Sequence, residues 1–272
     1  MKFHLPTALL FTLIAISHPQ VAAAEGSAIQ ADGATLRLLA IGPDKDGIVR
    51  GAVAVDLEPG WKTYWIAPGQ AGLAPIVDFS ASEGLDGAPA LLFPVPQVAD
   101  DGFSSSNVYS EPMAIAFTAR ASGSAPRLDL ALTIGLCEDI CVPVQAKLRR
   151  DLAEKATLGE TAQVHAAEAA LPDIAHDRLE ARIEGGSLIV TLPADAPSGP
   201  VALFAAGPAG WEFGPAEALS PAVDASSVAV PVLRAPKDAE GGIEVDLLLA
   251  AGEFAQFRRA NPVAVAPHGA PR

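Results

Sequence analysis

The chain has 272 residues, with 18 Lys and Arg against 32 Asp and Glu, for a formal net charge of −14. That balance excludes a nucleic-acid partner, whose phosphates it would repel, and excludes docking on an anionic membrane surface. Half the residues are apolar, enough for packed cores. The 24 Gly, 24 Pro and few aromatics point to short strands and many turns.

In chain order, residues 1–24 read as a secretory signal peptide. Lys2 supplies the positive end, residues 9–16 the apolar stretch, Pro19 a break, and Ala22-Ala23-Ala24 the small residues of a cleavage site. The apolar run falls short of the ~20 residues that a membrane span needs. The expected mature protein starts at Glu25, is exported, and is not embedded in a membrane. An oxidising compartment then governs how the cysteines are read.

From residue 34 to 152 the pattern is strand after strand. Val53, Val55 and Leu57 alternate with Ala52, Ala54 and Asp56. Leu128, Leu130, Leu132, Ile134 and Leu136 alternate with Arg127, Asp129, Ala131, Thr133 and Gly135. Val142, Val144, Ala146 and Leu148 alternate with Pro143, Gln145, Lys147 and Arg149. A period of two gives one buried and one wet face, as in an antiparallel sandwich. Pro43-Asp44-Lys45-Asp46-Gly47 reads as a turn between two such strands. Thr157 with Glu160 forms a capping-box pattern, residues 162–171 a short helix, and Pro172 its stop. Strands resume at 179–183, 187–192, 228–233 and 243–249. The expected fold is all-β, two antiparallel β-sandwiches joined by a short helix. The expected boundaries are 25–152 for the first sandwich, 153–172 for the linker, 173–262 for the second sandwich and 263–272 for a frayed tail.

The two cysteines of the chain, Cys137 and Cys141, lie where one alternating strand ends and the next begins. A hairpin end brings such residues to the ~5.5 Å Cα separation of a disulfide. Three readings stay open. A structural staple is the usual role in exported proteins, yet closing so short a loop contributes only about 2 kcal/mol. A metal site needs further ligands, and no His lies between residues 18 and 165; no metal and no cofactor is assigned. A disulfide that opens and closes fits the local geometry best. Glu138 and Asp139 between the thiols favour the neutral thiol. The pair is therefore expected to act as an electrophilic disulfide attacked by a partner's thiolate.

Three segments resemble the amino-terminal periplasmic domain of the thiol:disulfide interchange protein DsbD and its ScsB-like relatives. They are Pro59-Gly60-Trp61-Lys62-Thr63-Tyr64-Trp65-Ile66-Ala67-Pro68-Gly69 with Gly72-Leu73-Ala74-Pro75, then Asp100-Asp101-Gly102-Phe103 with Asn107-Val108-Tyr109, then Cys137-Glu138-Asp139-Ile140-Cys141-Val142-Pro143. The likeness covers about residues 34–152. It implies an immunoglobulin-like sandwich with a redox pair at a hairpin end, in which Cys141 forms the mixed disulfide and Cys137 resolves it. It also implies a loop with an aromatic tip over the pair, for which Phe103 occupies the matching place; the alternative is a Phe packed at a sandwich rim. Asp100, Asp101 and Tyr109 flank that loop, and the two Asp residues equally suit an ordinary polar turn. Trp61, Tyr64 and Trp65 either form a docking surface or fill the end of the core.

The resemblance implies a periplasmic relay. A thioredoxin-like protein or a separate transmembrane electron conduit would reduce it, and exported oxidised proteins would receive the electrons. The cysteine spacing of three residues, where the better-known DsbD domain has five, points to the ScsB-like branch. The alternative is a non-enzymatic exported interaction or chaperone-like module with a structural disulfide.

Overall fold

The computed structural model describes residues 26–100, 102–123, 126–197, 201–218, 227–236 and 242–264. The leader read at 1–24, Asp101 and most of the tail read at 263–272 lie outside the described residues. Among the described residues no helix is long and apolar enough to cross a membrane.

The first domain contains β1 (Ala28–Ala31), β2 (Ala34–Ile41), β3 (Ile48–Leu57), β4 (Thr63–Gly69), β5 (Ile76–Asp78), β6 (Ala90–Leu92), β7 (Gln97–Asp100), β8 (Ser105–Tyr109), β9 (Met113–Arg120), β10 (Arg127–Cys137) and β11 (Cys141–Asp151). One sheet has the order β1-β2-β3-β9-β6 and faces a second, β11-β10-β5. Between them lies a core of Leu36, Leu38, Val53, Ile115, Phe117 and the even-numbered residues 128–136. The Phe79 and Phe117 rings meet there with centroids 5.0 Å apart. Burying these alternate positions is the driving force that fixes strand register, since a slip of one residue would turn the whole apolar set outward. A third sheet, β4-β8-β7, closes one end of the domain.

The turn expected at residues 43–47 joins β2 to β3. Asp44 Oδ1 accepts hydrogen bonds from the Asp46 and Ile48 N–H groups at 2.9 Å each. The helix, α1 (Leu158–Ala169), begins earlier than the apolar pattern implied. Its capping box is formed on both sides: Glu160 N–H donates to Thr157 Oγ1 at 3.1 Å, and Thr157 N–H donates to Glu160 Oε2 at 2.8 Å. The helix does not stand free between the sandwiches. Val164 packs on Leu39 and Ala54, and Ala167 packs on Ala52 and Ala116. This corrects the reading of β3 as wet on its alanine face: α1 covers that face, so Ala52 and Ala54 are as buried as Val53 and Val55. The buried guanidinium of Arg150 ties the end of β11 to the start of α1, through Glu154 at 2.7 Å and Glu160 at 3.6 Å.

After α1 come β12 (Asp173–Leu179), β13 (Ala181–Glu184), β14 (Ser187–Thr191), β15 (Ala202–Ala206), β16 (Glu212–Phe213), β17 (Glu217–Ala218), β18 (Ser227–Arg234), β19 (Val245–Ala251), β20 (Phe254–Ala260) and β21 (Val263–Ala264). One sheet has the order β12-β20-β19-β15; the other runs β16-β18-β14-β13-β21, with β17 on β18. Leu188, Val190, Leu203, Val230, Val245, Leu247 and Leu249 fill the space between them. The segment 179–183, expected as one strand, divides at Glu180: β12 pairs with β20 and β13 with β14, so the chain crosses from one sheet to the other. The edge pairings β12–β20 and β13–β21 are parallel and the remainder of the domain is antiparallel. The molecule is all-β apart from α1, two immunoglobulin-like sandwiches in sequence.

Candidate functional site

The β10–β11 hairpin runs in unbroken register from Arg127 opposite Asp151 to Cys137 opposite Cys141. The two cysteines form a disulfide at its end, with Cα atoms 4.1 Å apart. Their surroundings differ sharply. Cys137 is 1 % exposed, whereas Cys141 lies open to solvent together with Glu138, Asp139 and Ile140.

Backbone pairing explains the difference. Cys137 donates its N–H to Lys62 O at 2.9 Å and accepts from Lys62 N–H at 2.8 Å, while Thr63 Oγ1 donates to Gly135 O at 2.9 Å. The start of β4 therefore lies against β10 and covers the first cysteine. In an antiparallel ladder, facing residues turn their backbone groups either toward each other or both away. Cys137 turns its groups toward Lys62, so Cys141 turns its own away from β10. Pro143, Gln145 and Lys147 follow with the same parity. Beyond them Arg149 donates to Gly26 O at 3.0 Å. Among the described residues β11 pairs only with β10, so this edge is open from Cys141 to Lys147. Pro143 sits where a missing N–H costs the sheet nothing.

Tyr64 completes the site. It is 4 % exposed and packs with Val108 and Cys137. Its hydroxyl lies 3.0 Å from Cys137 Sγ and 3.0 Å from Cys141 Sγ. Disulfide sulfurs carry no proton, so the phenol is the donor. Burial pushes its pKa above the ordinary tyrosine value, which keeps it protonated. Two glycines make room for the ring. A Cβ at Gly72 would stand 2.5 Å from Tyr64 Cδ1, and its φ of +149° also disfavours any other residue; a Cβ at Gly135 would stand 3.2 Å from Tyr64 Cδ2.

The three aromatics of the tryptophan segment face three ways. Trp61 packs on the first core, Tyr64 on the disulfide, and Trp65 on Phe204 and Leu248 of the second domain. Successive side chains of a strand point to opposite faces, so Tyr64 and Trp65 necessarily part. Tyr109, read beside the loop over the pair, lies on the Trp65 side and donates its hydroxyl to Pro94 O at 2.8 Å. Burial raises its pKa as well.

Asp100 ends β7 and accepts from Gly102 N–H at 2.7 Å, the polar turn of the β7–β8 hairpin. Phe103 at the tip of that hairpin is 98 % exposed, and Cys141 is exposed too. The Phe103 ring, read as the tip of a loop over the pair, is presented to solvent in this structure. Among the described residues no three His, Cys, Asp or Glu side chains converge as a metal site. Sequence reading left two contacts unassigned: the phenol of Tyr64 on the sulfurs, and the second domain behind β4. The signal for the latter was present in Leu248, a large apolar residue that follows Asp246 on the outer face of β19.

Residues 37–153 match the family model described as thiol:disulfide interchange protein DsbD, N-terminal. No curated protein matches the chain. Among solved structures, the N-terminal periplasmic domain of ScsB from Proteus mirabilis aligns with a TM-score of 0.68 at 19 % identity, over 90 % of this chain and 100 % of that one. That likeness bears on the fold alone, and it spans both sandwiches. The N-terminal domain of DsbD from Neisseria meningitidis, in its reduced form, aligns with a TM-score of 0.29 at 21 % identity, over 42 % of this chain and 83 % of that one. The matched segment encloses both cysteines and the β4 strand that covers them, so the likeness to a DsbD N-terminal domain falls on residues 37–153.

Proposed function

We propose that this protein is a periplasmic thiol–disulfide interchange module, a protein-disulfide reductase relay. It takes electrons from a thioredoxin-like protein or a separate transmembrane conduit and passes them to exported oxidised proteins. The single observation that carries the reading is a hairpin-end disulfide between one buried and one exposed cysteine, both sulfurs within reach of a buried phenol donor. A staple placed there would join residues already held by an eleven-residue ladder. The leader read at 1–24 and the DsbD-like match support the compartment.

In the reducing half, a partner thiolate attacks Cys141 Sγ. The new partner–Cys141 bond forms as the Cys137–Cys141 bond breaks, and Cys137 leaves with the electron pair as a thiolate. Tyr64 O–H donates to that thiolate, a charge-assisted hydrogen bond stronger than the one to a neutral sulfur. A second thiolate of the partner then attacks the partner's own sulfur and releases Cys141. The partner's dithiol is oxidised, the pair is reduced, and two electrons and two protons have moved. In the outward half, the Cys141 thiolate attacks a client disulfide and expels one client thiolate. Cys137 then attacks Cys141 Sγ, remakes the pair and releases the second client thiolate. The open β11 edge beside Cys141 gives a partner's extended segment backbone groups to bond.

The test is a redox titration combined with trapping. A midpoint potential in the range of exchange proteins, and mixed disulfides accumulating on Cys141 in Cys137→Ser, are the expected results. A potential below about −300 mV with no adduct on either single cysteine variant overturns the relay and leaves the structural staple.

A further inference from the structure

We infer that the second sandwich is a buttress for the redox site, with Phe204 and Leu248 as positioning residues that act through Trp65 on Tyr64. This deepens the relay reading and rests on it for its purpose, though the coupling itself is independent of any protein partner.

The start of β4, Thr63–Trp65, is buried on both faces. Tyr64 meets the disulfide on one, and Trp65 meets the second domain on the other. The Trp65 and Phe204 rings stand edge to face, centroids 5.8 Å apart at 65°. Phe204 and Leu248 are direct cross-strand partners on β15 and β19. Their neighbours Leu203, Ala205, Leu247 and Leu249 point into the second core, so Phe204 and Leu248 lie on the opposite face of that sheet. Large apolar groups on an outer face are costly to leave in water, and here the cover is Trp65 and Tyr109 of the first domain. β8 repeats the arrangement: Val108 lies with Tyr64 and Cys137, and Tyr109 lies with Trp65. The sheet that presents the phenol to the sulfurs is thus clamped between them and the second domain.

The clamp is narrow. Beside it the domains part around a cleft of about 670 Å³ between residues 66–74 and the Trp211–Phe213 segment. From behind, β4 is met by both β15 and β16 of the second domain. β4 also departs from regular pairing with β8 between Tyr64 and Gly69. The shift lies beyond Tyr64, whose own pairing with Val108 is regular, so the backbone places the start of β4, and the packing of Trp65 on the far face sets how firmly Tyr64 is held on the sulfurs.

The test is a double-mutant cycle in the full chain, reading the rate at which dithiothreitol reduces the Cys137–Cys141 bond. Tyr64→Phe removes the donor and should slow reduction about five-fold, the effect of one hydrogen bond to the leaving thiolate. Phe204→Ala should slow it by a similar factor in the wild-type background and by little in the Tyr64→Phe background, because the two act through one contact. Phe204→Leu, which keeps an apolar group against Trp65, should restore most of the rate. Val190→Ala, inside the second core and away from β4, should lower stability and leave the rate unchanged. Equal slowing by Phe204→Ala in both backgrounds, or no slowing in either, overturns the buttress. Should the cycle show coupling while no protein exchanges with the pair, the relay fails and the buttress stands.

Discussion

The two sandwiches solve the same packing problem and differ in what is added at one end. Each buries a two-layer core of alternating aliphatic residues. Among the described residues the first alone carries a third sheet, β4-β8-β7, and it is this sheet that covers Cys137, delivers Tyr64 and meets the second domain. The disulfide itself belongs to the β10–β11 hairpin of the sandwich, and the added layer supplies its cover and the Tyr64 phenol. Among the described residues the second domain has no such layer, and its sequence has no cysteine; it contributes a face. One of its β strands sets Phe204 against Trp65, where the corresponding pressure in an isolated first domain would come from water.

The sharpest break between the two cores is by truncation inside each. Leu132→Ala should destabilise the first domain, and Leu247→Ala the second, each by about 3 kcal/mol, since both side chains are fully buried. Hydrogen exchange on the full chain resolves the two sets of strands. Protection lost in one domain alone marks independent cores, whereas loss in both marks one cooperative unit.

Thr157→Ala removes the capping box of α1 and should cost about 1 kcal/mol. Because α1 packs on β2, β3 and β9, the loss should fall on the first domain and not on the second. A thermal melt monitored on each domain would show which one moves.

The open edge of β11 gives a third comparison, between reaction with proteins and with small thiols. Gln145→Pro deletes a backbone donor that faces away from β10, so the ladder should survive. Exchange with a thioredoxin-like protein should slow about five-fold, the equivalent of one lost hydrogen bond of about 1 kcal/mol. Reduction by dithiothreitol should be unchanged. Equal rates with the protein partner in variant and wild type would exclude the edge as a contact.

The smallest effect is a difference of sign in acid. Burial works against the charged form of Asp129, but hydrogen bonds from Arg127 and Arg149 outweigh it and hold the carboxyl below its usual value. Its contribution is present above the unfolded carboxylate pKa of about 3.9 and is lost as pH falls through the lower folded value. Asp246 in the second domain is displaced the other way: burial raises it, and Arg259 only partly opposes this. Its contribution is full below the unfolded value and is lost as pH rises through the folded one. Acidification toward pH 4 should therefore favour the second domain first, and further acid should weaken the first. Asp129→Asn and Asp246→Asn should each flatten the response of its own domain in melts between pH 3 and 7.

Much of this architecture was legible before any coordinates. The alternation of residues 128–136 and 142–148 located the hairpin, and with it the juxtaposition of Cys137 and Cys141, because a period of two and a short turn are local properties. The Thr157–Glu160 spacing located the helix start for the same reason. The alanine face of β3 was misjudged because small residues between larger ones look like a wet face, and only the packing of α1 shows that they admit a helix. Segment 179–183 looked continuous because changing sheets at Glu180 leaves the apolar pattern intact.

The site divides along the same line. The sequence by itself determined that two cysteines share a hairpin end and that aromatics gather upstream in Trp61, Tyr64 and Trp65. Only the tertiary structure decided which of these aromatics touches sulfur and which meets the second domain. Adjacent residues on a strand must point to opposite faces, but the chain carries no local mark of what covers each face. That assignment depends on β10 and on β15, which lie some seventy and one hundred and forty residues further along the sequence, and it is made only when those strands are packed against β4.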